Sequence, residues 1–338
     1  MSRSPAIRSA LEQRHLALEA VLRHGWNATA FQTLNNEFKY FFSQDACVAY
    51  VDTGSAWVVA GAPIAATERL REVTQMFLAE ARSLGRRCCF FGTEPRFLKA
   101  AAGFTRSLSI GEQPVWNPQL WPETLARHAS LREQIRRARA KGVMTRALDP
   151  GESIHEVIRA TRELAESWSA THAMPPMGFL VRVNPFSFPE QRRCIVAERA
   201  GRVLAVAHLV PVPKRAGWFI EHLLRAPDAP NGTTELLVHA AMTSTRSEGC
   251  RWLTLGLAPL SGEVSPVLRL ARQHMRFLYD FEGLRRFKAK LRPSSWQPIY
   301  LTHPVQQSAW LTLRDVLAAF ADDSFLRFGA RTLWRGLR

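Results

Sequence analysis

Residues 218–260, WFIEHLLRAPDAPNGTTELLVHAAMTSTRSEGCRWLTLGLAPL, contain the pattern that decides the fold. An apolar run begins at Trp218 and is broken by the turn APDAPNG, whose prolines and glycine continue neither a strand nor a helix. Apolar residues at helical spacing follow, Gly249 ends the helix, and WLTLGL forms a second apolar run. The segment is therefore predicted to fold as strand, turn, helix and strand.

The start of the predicted helix offers a binding position. Thr233 and Thr234 are expected to cap the helix, and Glu235 suits the positive end of its dipole. A helix that begins directly after a strand points unpaired backbone N–H groups at the space above the sheet. We expect an acyl carbonyl or a phosphate to bind there.

A weaker copy of this unit lies in the first half of the chain. Trp57 opens the run WVVAGAP, the helical stretch ERLREVTQMFLAEARSLG follows, and the apolar run CCFFG ends at Gly92. Both segments combine a strand, a turn with proline, a helix that ends near glycine, and a second strand. We infer an internal duplication of one supersecondary unit.

Length and composition bound the class of protein. The 338 residues can form two domains, and the chain has no apolar run of 18 residues and no signal-peptide pattern at its start. Its five cysteines are odd in number and contain no CxxC pair, which favours a reducing cytoplasm. The formal net charge of +16 predicts an anionic partner: nucleic acid, a membrane surface or both.

Composition along the chain predicts the domain boundaries. Residues 1–112 are expected to form a first α/β domain, the proline-rich segment 113–122 a linker, and residues 123–304 a second domain. The second domain begins with a basic helix at 123–141, which is either a solvated face or a nucleic-acid-binding surface. The amphipathic basic tail, 305–338, either docks on the core or lies in an anionic membrane interface.

Several catalytic motifs are absent from the sequence. It contains no GxxxxGK[ST], GxGxxG, HExxH or GxSxG, and its ten histidines show no metal-ligand spacing. Isolated histidines among apolar neighbours are expected at core or rim positions: His172, His208, His222 and His239. We therefore expect no metal and no cofactor. A site that positions two substrates and stabilises a developing negative charge is sufficient to transfer an acyl group already activated as an ester.

Three segments carry a family resemblance: RAPDAPNGTTELLV at 225–238, LGLAPLSG at 255–262 and FEGLRRFKAKLRPSSWQPIYL at 281–301. In this order and at these separations they closely resemble the catalytic region of the phosphatidylglycerol lysyltransferases, the aminoacyl-phosphatidylglycerol synthases. Upstream, GWNATAFQTLNNEFKYFF, GEQPVW and LREQIRRARAKGV resemble the same family. The resemblance extends over roughly residues 20–304.

The resemblance implies an α/β (α+β) fold with tandem GCN5-related N-acetyltransferase-like domains, each a mixed sheet flanked by helices. It implies transfer of an aminoacyl group from the acceptor end of aminoacyl-tRNA to the hydroxyl of phosphatidylglycerol or a related lipid. An anionic phospholipid at the inner membrane surface would be the second partner. Acetyltransferases of this fold hold acetyl-CoA through a glycine-rich turn, whereas the turn at 229–233 has one glycine, which fits a changed donor.

The same resemblance implies three groups of site residues. The turn that holds the aminoacyl end and its α-ammonium comprises Asp228, Asn231, Gly232, Thr233 and Glu235. The floor of the site comprises Gly256, Pro259 and Leu260. The phosphate-binding group comprises Arg285 and Lys288, with Arg286 and Lys290 as weaker candidates. Two aromatic residues are either core residues or substrate contacts, Trp296 and Tyr300, and Tyr300 could hydrogen-bond the reacting hydroxyl.

Two departures from the family leave the acceptor open. The chain contains no membrane-spanning flippase region, and Asp280 and Glu282 place acids just before LRRFK. The acceptor could instead be another lipid, a diacylglycerol, or a non-lipid hydroxyl or amine. Two other functions also stay open: an acyl-CoA-dependent N-acyltransferase, which the single glycine disfavours, and a non-catalytic protein that binds RNA or anionic membrane.

Overall fold

A computed structural model describes residues 9–148, 154–171, 179–181, 187–265, 268 and 281–321. Two predicted features lie outside these residues: the position of His172, and the basic stripe of the amphipathic tail. The part of the tail that the structure describes is helical from Ala309 to Phe320.

Twelve strands form one mixed sheet. In chain order they are β1 Lys39–Ser43, β2 Ala46–Asp52, β3 Ala56–Ala60, β4 Arg87–Thr93, β5 Thr105–Trp116, β6 Met144–Leu148, β7 Arg193–Arg199, β8 Arg202–Val212, β9 Gly217–Arg225, β10 Trp252–Thr254, β11 Ala258–Pro259 and β12 Ser295–Pro304. Across the sheet the order is β1-β2-β3-β4-β12-β5-β10-β9-β8-β7-β6, and β11 pairs with β5.

Nine α-helices flank the sheet within the described ranges. They are α1 Ala10–His24, α2 Leu70–Ser83, α3 Pro95–Ala100, α4 Trp121–Arg127, α5 Ala129–Ala140, α6 Ile154–Thr171, α7 Thr233–Ser247, α8 Phe281–Lys290 and α9 Ala309–Phe320. A long 3₁₀ turn, Ala28–Leu34, follows α1. The fold is therefore a mixed α/β structure built on one large sheet, as the α/β class predicts.

The predicted strand, turn and helix at 218–260 are present with two corrections. Helix α7 begins after Gly232, whose φ of 90° suits glycine, and no side chain caps it. The Thr233 hydroxyl donates instead to the Pro230 carbonyl oxygen, at 2.7 Å, so the expected threonine cap is wrong. The run WLTLGL is a strand only as far as Thr254, because the chain then turns and pairs with β5 as β11.

Two other segments differ from the prediction in their local structure. The basic stretch 123–141 is two helices, α4 and α5, which meet at His128. The segment 113–122 is regular, since β5 runs without interruption to Trp116 and α4 follows after a short 3₁₀ turn. The prolines there suit a strand end and a helix start. The division into two domains stays a prediction.

The two halves of the chain repeat one pairing pattern. β1, β2 and β3 are antiparallel neighbours, and β3 is parallel to β4 across α2. β7, β8 and β9 are likewise antiparallel, and β9 is parallel to β10 across α7. The long strands β5 and β12 pair with each other between the two halves. This arrangement matches the inferred duplication of strand, turn, helix and strand.

The parallel pairs differ between the halves at their far ends. β3 pairs with β4 along its whole length, from Ala56 to Ala60. β9 pairs with β10 only as far as Phe219 opposite Thr254, although β9 continues to Arg225. The sheet therefore opens between these two strands, and this opening is the feature around which the candidate site is built.

Candidate active site

The wall of the opening on the β9 side contains a β-bulge. Ile220 pairs with Leu209 and His222 pairs with His208, so Glu221 is an extra residue without a partner in the ladder to β8. Bulges redirect side chains and are frequent beside active sites. Adjacent side chains of β9 also pack on different layers of helices. Ile220 packs with α7, and Phe219 packs with α1. The opening is thus bordered by both layers of the protein.

Glu221 forms a buried ion pair with Arg192, whose side chain is 4% exposed while that of Glu221 is 1% exposed. The Arg192 Nε donates to the Ser187 carbonyl oxygen at 2.7 Å, and the guanidinium lies 5.0 Å from the centre of the Phe31 ring. Its Nη2 is buried and has no hydrogen-bond partner in the described part of the chain. Because an unpaired buried donor is costly, this nitrogen is a candidate for binding a substrate oxygen.

Two buried histidines lie next to this pair. The Thr161 hydroxyl is 3.2 Å from the His208 Nε2, and the rings of His208 and His222 meet edge to face with centroids 6.1 Å apart. Burial lowers the pKa of His208 well below its ordinary value, and the charges of His222 and Arg192 act in the same direction. His208 is therefore neutral at neutral pH. The sequence prediction of core positions is confirmed for both histidines.

The opposite wall is the loop 255–257, which Lys288 of α8 holds in place. The buried Lys288 Nζ donates to the carbonyl oxygens of Leu255, Gly256 and Leu257, each at 2.9 Å. Gly256 has a φ of 69°, and a Cβ there would lie 2.7 Å from Cε2 of Phe219. The Lys288 Nζ is thus engaged inside the protein, where it holds the loop in place.

The pH dependence of stability should report this buried lysine. Burial lowers the pKa of Lys288 from 10.5 to about 7. Between about pH 7 and 10.5 the unfolded chain holds a proton that folded Lys288 has released, so the free energy of unfolding should rise with pH. Urea denaturation of the protein and of Lys288→Met across this range tests the expectation. The difference between the two curves should grow in favour of the unmodified protein, and a constant difference would contradict it.

Arg285 and Trp296 form one group beside this loop. The Arg285 Nε donates to the Glu112 Oε1 at 2.7 Å, and the guanidinium lies 4.9 Å from the centre of the Trp296 ring. Glu112 in turn lies close to Gly262, where a Cβ would be 2.7 Å from its Oε2. Arg285 remains 43% exposed, whereas Arg286 and Lys290 lie on the exposed side of α8.

The turn before α7 is a separate group. Asp228 is exposed and forms a two-pronged ion pair with Arg202, at 2.6 and 3.1 Å. Asn231 is exposed, Thr233 is fully buried, and Glu235 is half-buried. A Cβ on Gly232 would lie 2.0 Å from the Gln134 carbonyl oxygen, so α5 packs directly against the turn. Among the described hydrogen bonds, none joins a residue of this turn to Arg285 or Lys288.

The remaining predicted residues lie beside β5, in the middle of the sheet. Pro259 pairs with Gly111, and the Leu260 N–H donates to the Ile110 carbonyl oxygen at 2.8 Å. Tyr300 is half-buried on β12, opposite Ser109. The structure therefore brings Gly256, Lys288, Arg285 and Trp296 close to one another around the loop and α8, and it places the turn residues elsewhere.

Three charged residues around the site are not predicted from the sequence. Arg192, Glu221 and Glu112 were not among the predicted site residues. A signal existed for Glu221, which is a single acid within the apolar run WFIEHLL. No local signal exists for Arg192, because its partners Phe31 and Glu221 are distant in sequence.

The sequence matches a known protein family over most of its length. The sequence profile described as "Phosphatidylglycerol lysyltransferase, C-terminal" matches residues 19–303. The phosphatidylglycerol lysyltransferase of Bacillus subtilis is 22% identical over 301 residues, which cover 86% of this chain and 35% of that protein. The lysylphosphatidylglycerol biosynthesis bifunctional protein LysX of Mycobacterium tuberculosis is 24% identical over 278 residues, 75% of this chain and 23% of that protein. The chain thus spans about a third or less of these relatives.

Solved structures agree on the fold. The C-terminal DUF2156 domain from Agrobacterium fabrum superposes with a TM-score of 0.80 at 24% identity, over 94% of this chain and 99% of that one. The structure of L-PGS from Bacillus licheniformis gives a TM-score of 0.78 at 20% identity, over 94% and 97% of the two chains. Since the profile covers most of the sequence, the chain belongs to the phosphatidylglycerol lysyltransferase C-terminal family.

Proposed function

We propose that the chain is an aminoacyltransferase that moves an aminoacyl group from aminoacyl-tRNA to a lipid hydroxyl, with the reaction in the opening between β9 and β10. The observation that carries this proposal is the buried guanidinium of Arg192, which faces the bulge with one nitrogen unpaired. Homologues named as lysyltransferases support transfer to a lipid such as phosphatidylglycerol. The tRNA donor rests on the family resemblance and on the net charge of +16.

In the proposed reaction the acceptor hydroxyl attacks the ester carbonyl of the aminoacyl group. A carbon–oxygen bond to the lipid forms, the bond to the terminal ribose breaks, and the hydroxyl proton ends on the departing ribose oxygen. Negative charge develops on the carbonyl oxygen, and the unpaired Nη2 of Arg192 is suited to stabilise it. Glu221 fixes the guanidinium, and Lys288 fixes the facing loop 255–257.

The predicted residues take revised roles in this proposal. Arg285, Arg286 and Lys290 would meet phosphate at the α8 side of the opening, because their side chains remain accessible. Asp228 is engaged by Arg202, so recognition of the α-ammonium falls to Glu235. Asn231, Gly232 and Thr233 would support the α7 side, and Tyr300 the acceptor side.

We also propose that the protein acts at an anionic membrane surface and that its halves are tandem acetyltransferase-like domains. The repeated pairing pattern of β1–β4 and β7–β10 supports the tandem division. For the membrane, support comes from the lipid named in the homologues and from the positive net charge. Along the described ranges, no helix has both the length and the hydropathy needed to cross a bilayer.

One observation weighs against a coenzyme A donor. Coenzyme A would need the turn before α7 for its pyrophosphate, and α5 packs against that turn at Gly232. A phosphate there would have to displace the backbone of α5. We therefore expect no saturable binding of coenzyme A in calorimetry, and tight binding would revive the acyl-CoA-dependent alternative.

The proposal is tested by incubating the purified protein with labelled aminoacyl-tRNA and vesicles that contain phosphatidylglycerol. Label should pass into the organic phase with at least one aminoacyl-tRNA, and lysyl-tRNA is the first to try. A lysyltransferase from the same family serves as the positive control. If that control labels lipid and this protein labels none with any aminoacyl-tRNA, the proposal fails and a non-catalytic binding role replaces it.

A further inference from the structure

A cleft of ≈ 410 Å³ lies between α4 and the C-terminal end of α8. Its lining combines cationic, aromatic, apolar and polar side chains: Arg127, His128, Arg292, Trp296, Leu120 and Ser294. Among the described residues of the lining, Glu123 is the only acid, and it lies 3.9 Å from Arg127. The cleft is therefore positive, with an indole in its wall.

Trp296 is held rigidly in this wall. Arg285 covers one region of its ring at 4.9 Å and is itself fixed by Glu112. Trp296 stays half-buried and still lines the cleft. A partly exposed aromatic ring in a cationic cleft is the arrangement that binds unpaired nucleotides, because bases stack on the ring while phosphates meet the cations.

The cleft is continuous with the basic surface of α5. Arg132 donates to the carbonyl oxygens of Leu125 and Ala126 and so ties α5 to the end of α4. Arg136 and Arg137 are exposed on the next turns, and both share the single acid Glu133. A backbone that carries phosphates could therefore run from α5 into the cleft. A lipid head group would occupy only one such position, so nucleic acid fits the length of this surface better.

We propose that this cleft binds the single-stranded end of an RNA, with a base stacked on Trp296 and phosphates on Arg127 and Arg292. The inference rests on the proposed function, for which it supplies the route of the donor to the reaction. From Trp296 a path of contacts leads through Arg285 to α8, whose Lys288 holds the loop 255–257 at the opening. The terminal nucleotide would thus point toward Arg192 and Glu221.

The binding test uses a labelled single-stranded RNA dodecamer and fluorescence anisotropy at several salt concentrations. Trp296→Ala should weaken binding about tenfold or more, since one base stack is lost, while Trp296→Phe should restore most of it. The double variant Arg127→Gln with Arg292→Gln should lower the salt slope by about 1.4, because two phosphate contacts disappear. Circular dichroism confirms that each variant is folded.

Matched controls separate the cleft from general charge. Arg23→Gln with Arg82→Gln removes the same charge from exposed positions on α1 and α2 and should leave the affinity within about twofold. Trp310→Ala removes a 66% exposed tryptophan on α9 and should have no effect. A 2-aminopurine base at the RNA end should be quenched by the unmodified protein and by Trp310→Ala, but not by Trp296→Ala.

The outcomes are separable from those of the proposed function. If the cleft variants bind RNA like the controls while the protein labels lipid, the cleft assignment is overturned and the proposed function stands. If the cleft binds RNA as expected but no lipid is ever labelled, the cleft stands and the transferase proposal fails. Loss of binding to phosphatidylglycerol vesicles, with RNA binding retained, would reassign the cleft to a lipid head group and overturn the inference.

Discussion

Arg192→Lys is expected to lower the rate of aminoacyl transfer about 100-fold, which is the effect of losing one preorganised donor to a developing oxyanion. Lysine keeps the positive charge beside Glu221. It lacks, however, the planar guanidinium of arginine, whose separate N–H groups can bond to Glu221, to the Ser187 carbonyl oxygen and to a substrate oxygen at the same time. The measurement is kcat/KM for label transfer from aminoacyl-tRNA to phosphatidylglycerol vesicles.

Arg193→Lys provides the matched control for this variant. Arg193 is the next residue in the chain, pairs with Glu248 and stacks 4.2 Å from the Trp218 ring centre, away from the bulge. Its transfer rate should stay within about threefold, because its ion pair is with Glu248 and not with Glu221. A rate for Arg192→Lys equal to that of Arg193→Lys would remove Arg192 from the mechanism. Thermal melts show whether any loss reflects unfolding.

Arg215→Met should lower the free energy of unfolding by about 3–5 kcal/mol, since it leaves Glu94 as an uncompensated buried charge. The side chains of Arg215 and Glu94 are 10% and 5% exposed and form an ion pair. The guanidinium also lies between the rings of Trp26 and Trp252, at 4.7 and 4.5 Å. Urea denaturation measures the change. Because this contact joins the end of β4 to the turn before β9, its loss should weaken the connection of the two halves.

Two further variants distinguish the effect of the buried ion pair on stability from the effect of removing any positive charge. Arg215→Met combined with Glu94→Gln should recover much of the stability, because no buried carboxylate then lacks a partner. Arg202→Met breaks the ion pair with Asp228, in which the two side chains are 61% and 59% exposed, and should lower the free energy of unfolding far less than Arg215→Met. Equal losses for Arg202→Met and Arg215→Met would show that burial does not govern the effect.

Local sequence patterns predicted the elements whose formation depends on residues close together in the chain. The proline-containing turn and the apolar spacing after it predicted β9 and α7. The capping prediction at Thr233 failed because the close approach of α5 requires glycine at 232, and the buried threonine hydroxyl then bonds back to Pro230. That constraint comes from another helix and leaves no trace in the turn itself.

The predicted phosphate site shows the same limit. Arg285 and Lys288 are three residues apart in a basic run, and the sequence gives no reason to treat them differently. In the fold, Arg285 stays accessible beside Trp296, whereas Lys288 is buried with its ammonium on three carbonyl oxygens. Burial of a charge depends on what packs around α8, and this was decided by the loop 255–257 from another part of the chain.

The sequence by itself determined the family, the α/β class and the repetition of one strand–turn–helix–strand unit. It could not show which repeat carries the opening, because that depends on how far neighbouring strands stay paired. Only the tertiary structure decided that β3 and β4 remain joined while β9 and β10 separate at Thr254. It also brought Arg192 and Phe31 to the bulge at Glu221, since packing assembles charges and rings from distant segments that no local pattern connects.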